Sequence, residues 1–193
     1  MTYGKLISIK RNGGVYEAEI EVKLEPKPGQ FITLVFPKFE VPLSIGDYVD
    51  GVLYVHFSSE KIYQLLSKRM EVMVKGPLGR PIALGKKVLG IAEGGLYYDI
   101  LFPLREAKRK GSEVAVNCKG CRSEFREPLK GETWDTVIAS VRDYKALPSK
   151  SLVYVRWVKM NCMMGVCGVC EVKGNLPCVE GPFLEVERLV DKG

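Results

Sequence analysis

Cys162, Cys167, Cys170 and Cys178 lie close together in the stretch MNCMMGVCGVCEVKGNLPCVEGPF, which holds four of the six cysteines of the 193-residue chain. Three chemistries use thiols at this density: a disulfide knot, a zinc site and an iron–sulfur cluster. The spacing is C-x4-C-x2-C-x7-C. Zinc modules usually present two compact ligand pairs across a longer loop, whereas here three thiols crowd one loop and the fourth follows soon after. That is the arrangement of a [2Fe–2S] loop. Thiolates are the soft ligands such clusters require. Gly165 and Gly168 allow the unusual backbone angles that turn N–H groups toward sulfur. Met163, Met164, Val166 and Val169 are expected to form an apolar shell near the surface. On spacing alone a zinc site stays open, as do four unligated thiols. Cys118 and Cys121, in NCKGC, form a separate CxxC. Such a pair can bind metal or act as a redox switch; the plain alternative, which we prefer, is two thiols in a strand-end loop.

The elements that must position these residues change character along the chain. To about Leu84 the pattern is β. VYEAEIEVKL alternates with the period of a half-buried strand after the turn RNGG. The opening MTYGKLISIK, QFITLVFP, GVLYVHF and RMEVMVKG read as further strands, punctuated by Gly and Pro clusters. Many short strands of this kind suggest a small barrel or sandwich. SSEKIYQLLSKR interrupts them as a short helix capped by Ser58 or Ser59. From Gly85 onward, KKVLGIA, SEVAVNC, DTVIASV and SLVYVRWV read as strands. LYYDILFPLREAKRKG reads as a crossover helix closed by Gly111, with Pro103 near its start or kinking it. Strand–helix–strand order implies a parallel sheet. Three regions follow: a small antiparallel β barrel over 1–84, a shortened α/β lobe over 85–158, and a cysteine module over 159–193.

Composition narrows the function classes. The 46% apolar content suits a globular protein with a proper core. No apolar run approaches the ~20 residues of a membrane-spanning helix. The N-terminus lacks an apolar signal core, so a cytoplasmic location is expected, where structural disulfides are uncommon. The net charge of +6 comes from 29 basic and 23 acidic residues. The basic residues are scattered without interleaved aromatics, which argues against nucleic-acid binding.

The order barrel, nucleotide lobe, cysteine tail resembles the electron-transfer subunit of NAD-linked dihydroorotate dehydrogenase, in the ferredoxin-reductase superfamily. The resemblance spans nearly the whole chain. KMNCMMGVCGVCEV and CVEGPF carry it best, then VPLSI and KGPLGRP. Lys159-Met160 matches the family's basic-Met pair before the first ligand, and Gly181-Pro182-Phe183 its segment after the fourth. The resemblance makes Cys162, Cys167, Cys170 and Cys178 the [2Fe–2S] ligands. Met163 stands where the family usually has Gly; if that position needs φ > 0, Met costs ~1–2 kcal/mol.

The nucleotide sites match less closely. The resemblance implies FAD between barrel and lobe, at Pro42, Leu43, Ser44, Val55, His56 and Ser59. In the family's Arg-Pro-x-Ser motif the Arg is here Val41, and a second family Arg falls near His56. The family's Gly-Thr at the start of the short helix falls near Ser59-Glu60, where Glu60 brings the wrong charge for a diphosphate. FAD is therefore expected to bind more weakly than in the family. The family's Gly-Gly-Gly-x-Gly loop is here Glu93-Gly94-Gly95-Leu96-Tyr97, with Tyr97 expected to put a large ring in the nucleotide's way. Inefficient use of NAD follows.

The implied function is an accessory electron carrier of pyrimidine synthesis with no substrate-oxidising site of its own. Its partner would be an FMN-containing dihydroorotate dehydrogenase catalytic subunit, in a heterotetramer of two of each. Electrons would pass through the [2Fe–2S] cluster and FAD to an acceptor such as a quinone, a dye or another protein. Two alternatives remain: a diaphorase-like subunit of another complex such as a hydrogenase, and a non-redox, zinc-stabilised scaffold.

Overall fold

The computed structural model describes residues 1–190, so the end of the region expected as the cysteine module lies outside the described residues. Six strands close into an antiparallel barrel in the order β1-β2-β5-β4-β3-β6. They are β1 Thr2–Asn12, β2 Val15–Glu21, β3 Phe31–Phe36, β4 Phe39–Val49, β5 Val52–Phe57 and β6 Glu71–Leu78. The alternation read in β2 places Tyr16, Ala18 and Ile20 inside the barrel core with Leu34, Leu53, Val55 and Val74. β4 has no clean alternation because it changes partner along its length. Phe39–Ser44 pairs with β3 and Ile45–Val49 with β5, and the β5 register shifts between Ile45 and Asp47. Pro42 sits in the half that pairs on one side only, an edge-like position that tolerates its missing N–H. At the register shift, a Cβ on Gly46 would lie 2.5 Å from the His56 ring, so only glycine lets the ring pack there. Helix α1, Glu60–Ser67, is capped by Ser59, whose Oγ accepts from the Ile62 amide at 3.4 Å.

The lobe is a five-stranded sheet in the order β11-β10-β9-β7-β8. Its strands are β7 Lys87–Glu93, β8 Glu113–Lys119, β9 Thr136–Ser140, β10 Leu152–Tyr154 and β11 Phe183–Glu185. β7 runs parallel to both β8 and β9, and β9 parallel to β10. β11 pairs antiparallel with β10, so the cysteine tail returns a strand to the lobe sheet. Helix α2, Tyr98–Arg109, links β7 to β8 and carries Pro103 inside it. Ile100, Leu101, Phe102, Pro103, Leu104 and Ala107 are all buried, because α2 is wedged between the sheet and barrel strand β4. Burial on several faces offsets the hydrogen bond lost at proline. Gly90 of β7 permits this close docking: a Cβ there would lie 2.9 Å from Leu104 and 3.0 Å from Ile100. The described residues thus form a closed barrel and a mixed sheet with few helices. Among the described residues, no helix is long and apolar enough to cross a membrane.

Candidate functional site

The cysteine loop is held by three left-handed residues. Met163 has φ 55°, Gly165 73° and Gly168 70°. Met163 therefore does adopt the conformation that favours glycine, at a cost of ~1–2 kcal/mol. The turn they make aims backbone N–H groups at one sulfur: Met164 and Cys167 each donate to Cys162 Sγ at 3.4 Å. These amides, with that of Val166, pull the Cys162 thiol down to about 6, favouring thiolate. Cys178 lies on the short helix α3, Pro177–Glu180, where burial pushes its thiol up to about 11, and its neighbour Cys170 adds to this.

The four thiols fall into two neighbouring pairs: the Cys167 amide donates to Cys162 Sγ, and Cys170 packs with Cys178. Among the described residues, no group of three or more His, Cys, Asp or Glu is gathered for one metal ion. Two pairs suit a cluster of two irons, which divides four thiolates between two centres. The donor set, all sulfur with converging amides, fits that group.

The loop rests on the barrel. Met163, Cys170 and Cys178 pack with Phe31 of β3, and Leu78 and Met160 lie against them. Lys75 of β6 donates to the Cys162 carbonyl at 3.2 Å and to Glu40 at 3.1 Å. The expected apolar shell is split. Met163 is 2% exposed and belongs to the core, because its backbone turn points it at Phe31's cluster. Met164, Val166 and Val169 are 58%, 81% and 50% exposed. Two segments that carry the family resemblance also meet. The Arg80 amide donates to the Gly181 carbonyl at 2.7 Å, tying the barrel's exit to the residues after Cys178. Phe31 had no signal in the sequence, and Lys75 and Leu78 lie in KGPLGRP without a role assigned there, since barrel residues gain this role only through long-range packing.

The expected flavin residues do not converge on one open site. Leu43 and Val55 point into the barrel core. Ser59 is spent on capping α1, Glu60 accepts from the Tyr16 hydroxyl, and Pro42 is half-buried in β4. Ser44 and His56 do reach the barrel–lobe cleft, but the protein's own side chains engage both. The Ser44 hydroxyl donates to Asp99 Oδ1 at 2.9 Å, and Asp99 also takes Ser140 at 2.8 Å and Arg156 at 3.2 Å. Burial pushes the Asp99 carboxyl up, while Arg156 and the two serines pull it down. The His56 ring stacks on Tyr98 at 4.1 Å, and its Nε2 lies 2.8 Å from Glu17 Oε2. Burial lowers the His56 pKa, so the neutral ring donates from Nε2. The cleft left beside them is about 260 Å³. Sites for drug-sized ligands span ~300–1,000 Å³, and FAD is larger than most such ligands. The chain's own side chains thus engage or bury most of the residues expected at the flavin.

The ring in the cleft is Tyr98 rather than Tyr97. Tyr97 is buried in the lobe core, with its hydroxyl 3.2 Å from Ser123 Oγ. Gly94–Tyr97 form a single 3-10 turn that leads straight from β7 into α2.

No family model matches the chain, and no curated protein matches it. Solved structures do. One, from a study of flavin-based electron bifurcation in NADH-dependent reduced ferredoxin-NADP oxidoreductase, is 21% identical with a TM-score of 0.67, over 97% of this chain and 89% of that one. Phthalate dioxygenase reductase, described as a modular structure for electron transfer from pyridine nucleotides to [2Fe-2S], is 12% identical with a TM-score of 0.54, over 72% and 59%. The ferredoxin reductase of carbazole 1,9a-dioxygenase is 10% identical with a TM-score of 0.51, over 76% and 52%. The chain thus spans little more than half of these two reductases. All three likenesses establish the ferredoxin-reductase-like fold.

Proposed function

We propose that this chain is an electron-transfer subunit that works through a [2Fe–2S] cluster held by Cys162, Cys167, Cys170 and Cys178. Its donor is an FMN-containing dihydroorotate dehydrogenase catalytic subunit of pyrimidine synthesis, in a heterotetramer of two of each. The observation that carries the cluster reading is the pairing of four thiols around a loop whose amides converge on Cys162 Sγ. When bound, the cluster supplies one-electron transfer without direct contact between donor and acceptor.

The chain's own residues do the rest. The Met164, Val166 and Cys167 amides stabilise negative charge at Cys162. Phe31 and Met163 exclude water from the Cys170–Cys178 side. Lys75 fixes the loop to the barrel. Met164, Val166 and Val169 form an exposed apolar rim, of the kind that marks a protein interface. The partner's identity rests on the tail motifs and on the order barrel, lobe, cysteine tail. Electrons leave to a quinone, a dye or another protein: the loop after β7 keeps only Gly94 and Gly95, and the cleft beyond it is small.

Co-purification from the native source, followed by a dihydroorotate oxidation assay with a dye and with NAD, tests this. The expected result is a complex with an FMN protein that turns over faster with the dye. A monomer that binds no dihydroorotate-oxidising subunit would overturn the partner. Turnover with NAD as fast as with the dye would overturn the acceptor.

A further inference from the structure

Cys118 and Cys121 play no part in the function above, yet the structure joins them in a disulfide. Where a pair of plain thiols in a strand-end loop was the preferred expectation, the fold brings them together. Cys118 is near the end of β8, and Gly120, with φ 66°, reverses the chain so that Cys121 comes back to it.

We propose that Cys118–Cys121 is a thiol–disulfide exchange site, reduced by an external dithiol, that controls the cover on the free edge of the lobe sheet. β8 is the outermost strand of the sheet, hydrogen-bonded to β7 on one side. Its other edge is covered by the segment that follows the disulfide. The Val116 amide donates to the Arg126 carbonyl at 2.9 Å, Ala115 bridges Arg126, and Phe125 is buried in the lobe core. An uncovered edge strand is a template for pairing with another chain. The same segment reaches the barrel. Ser123 meets the Tyr97 hydroxyl, and Glu124 takes Arg105 at 2.7 Å, which in turn donates to Asp47 of β4 at 3.3 Å. The disulfide stands at the head of this segment and sets how it leaves β8.

Its placement favours chemistry over bracing. The cross-link closes a very short loop, the kind that constrains an unfolded chain least. Both cysteines are half-buried, while Lys119, Gly120 and Arg122 around them are exposed, so the bond is open to attack. Lys119 and Arg122 place positive charge beside the pair, which favours thiolate as leaving group. A thiolate of the dithiol attacks one sulfur. The S–S bond breaks, a mixed disulfide forms, and the other cysteine leaves as thiolate and takes a proton. The dithiol's second thiolate then attacks its own mixed disulfide and releases the remaining cysteine. Two electrons and two protons reach the protein, and the dithiol becomes a cyclic disulfide.

The test uses the full-length protein as purified, kept anaerobic in mixtures of reduced and oxidised dithiothreitol. Peptide-resolved alkylation follows Cys118 and Cys121 apart from the tail cysteines, and hydrogen exchange follows the Val116 amide. The expected result is reversible reduction of the two cysteines together in the folded protein, with Val116 exchange rising at least tenfold. The double variant Cys118→Ser/Cys121→Ser should show the same fast exchange without reductant. Lys119→Ala/Arg122→Ala should slow reduction several-fold. A pair that is reduced only in denaturant, or stays as free thiols in fully oxidised buffer, overturns the proposal. So does reduction, or the double serine variant, that leaves Val116 protected.

Discussion

Replacing Gly79 by Ala should detach the cysteine tail from the barrel's exit. Gly79 has φ 80°, and a Cβ there would lie 2.3 Å from the Gly181 carbonyl oxygen and 3.0 Å from Pro182 Cδ. The nearest atom is backbone, so no side chain can swing away to make room. A left-handed conformation costs a non-glycine residue ~1–2 kcal/mol. Displacing Gly181 also breaks the Arg80 N–H···O=C Gly181 bond of 2.7 Å, which contributes ~1 kcal/mol. Together the loss should be about 2–3 kcal/mol, measurable by urea unfolding. Gly131→Ala is the control. Its φ is 84°, but nothing lies within 4 Å of its added Cβ, so it should lose only the backbone cost of ~1–2 kcal/mol. Gly79→Ala should also lower iron content, because the displaced residues follow Cys178 directly. Equal stability losses in the two variants, with iron content unchanged in both, would refute the reasoning.

Two other outcomes follow from the cleft. Equilibrium dialysis against micromolar FAD should show no saturable binding to the wild-type protein, because Tyr98 and Asp99 already engage His56 and Ser44; stoichiometric FAD retained on purification would contradict this. His56 should make stability fall in mild acid. Burial lowers its folded pKa below the unfolded value of 6.5, so the unfolded chain binds the extra proton first. Stability is therefore full above about pH 6.5 and declines as pH drops through the folded pKa. His56→Gln should lose less stability than wild type between neutral and mildly acidic pH in urea titrations. An identical loss in both would remove His56 as the cause.

Much of the frame was legible wherever one face of an element is buried. β2 shows its barrel face as Tyr16, Ala18 and Ile20, and Ser59 announces α1 as a cap before an amphipathic run. β4 escaped notice because its Pro42, its change of partner and the register shift at Gly46 erase the period of two. β11 was hidden for a different reason: Phe183–Glu185 is a strand only because β10 is there to pair with it. The left-handed turn of the cysteine loop could be read from Gly165 and Gly168, since loop geometry is local. The cleft could not. Whether Tyr97 or Tyr98 faces the barrel depends on the single 3-10 turn at Gly94–Tyr97, and a shift of one residue there exchanges core for cleft. The Asp99 network joins residues from β4, β9, α2 and the segment after β10, a convergence that no local pattern encodes.

Metal and acid-labile sulfide analysis of anaerobically purified protein, run beside Cys170→Ser, tests the central claim most directly. The account predicts a red-brown wild-type protein with about two irons and two sulfides per chain. Cys170→Ser should be bleached, because it removes one thiol of the buried Cys170–Cys178 pair. Stoichiometric zinc without iron in the wild-type protein would contradict it.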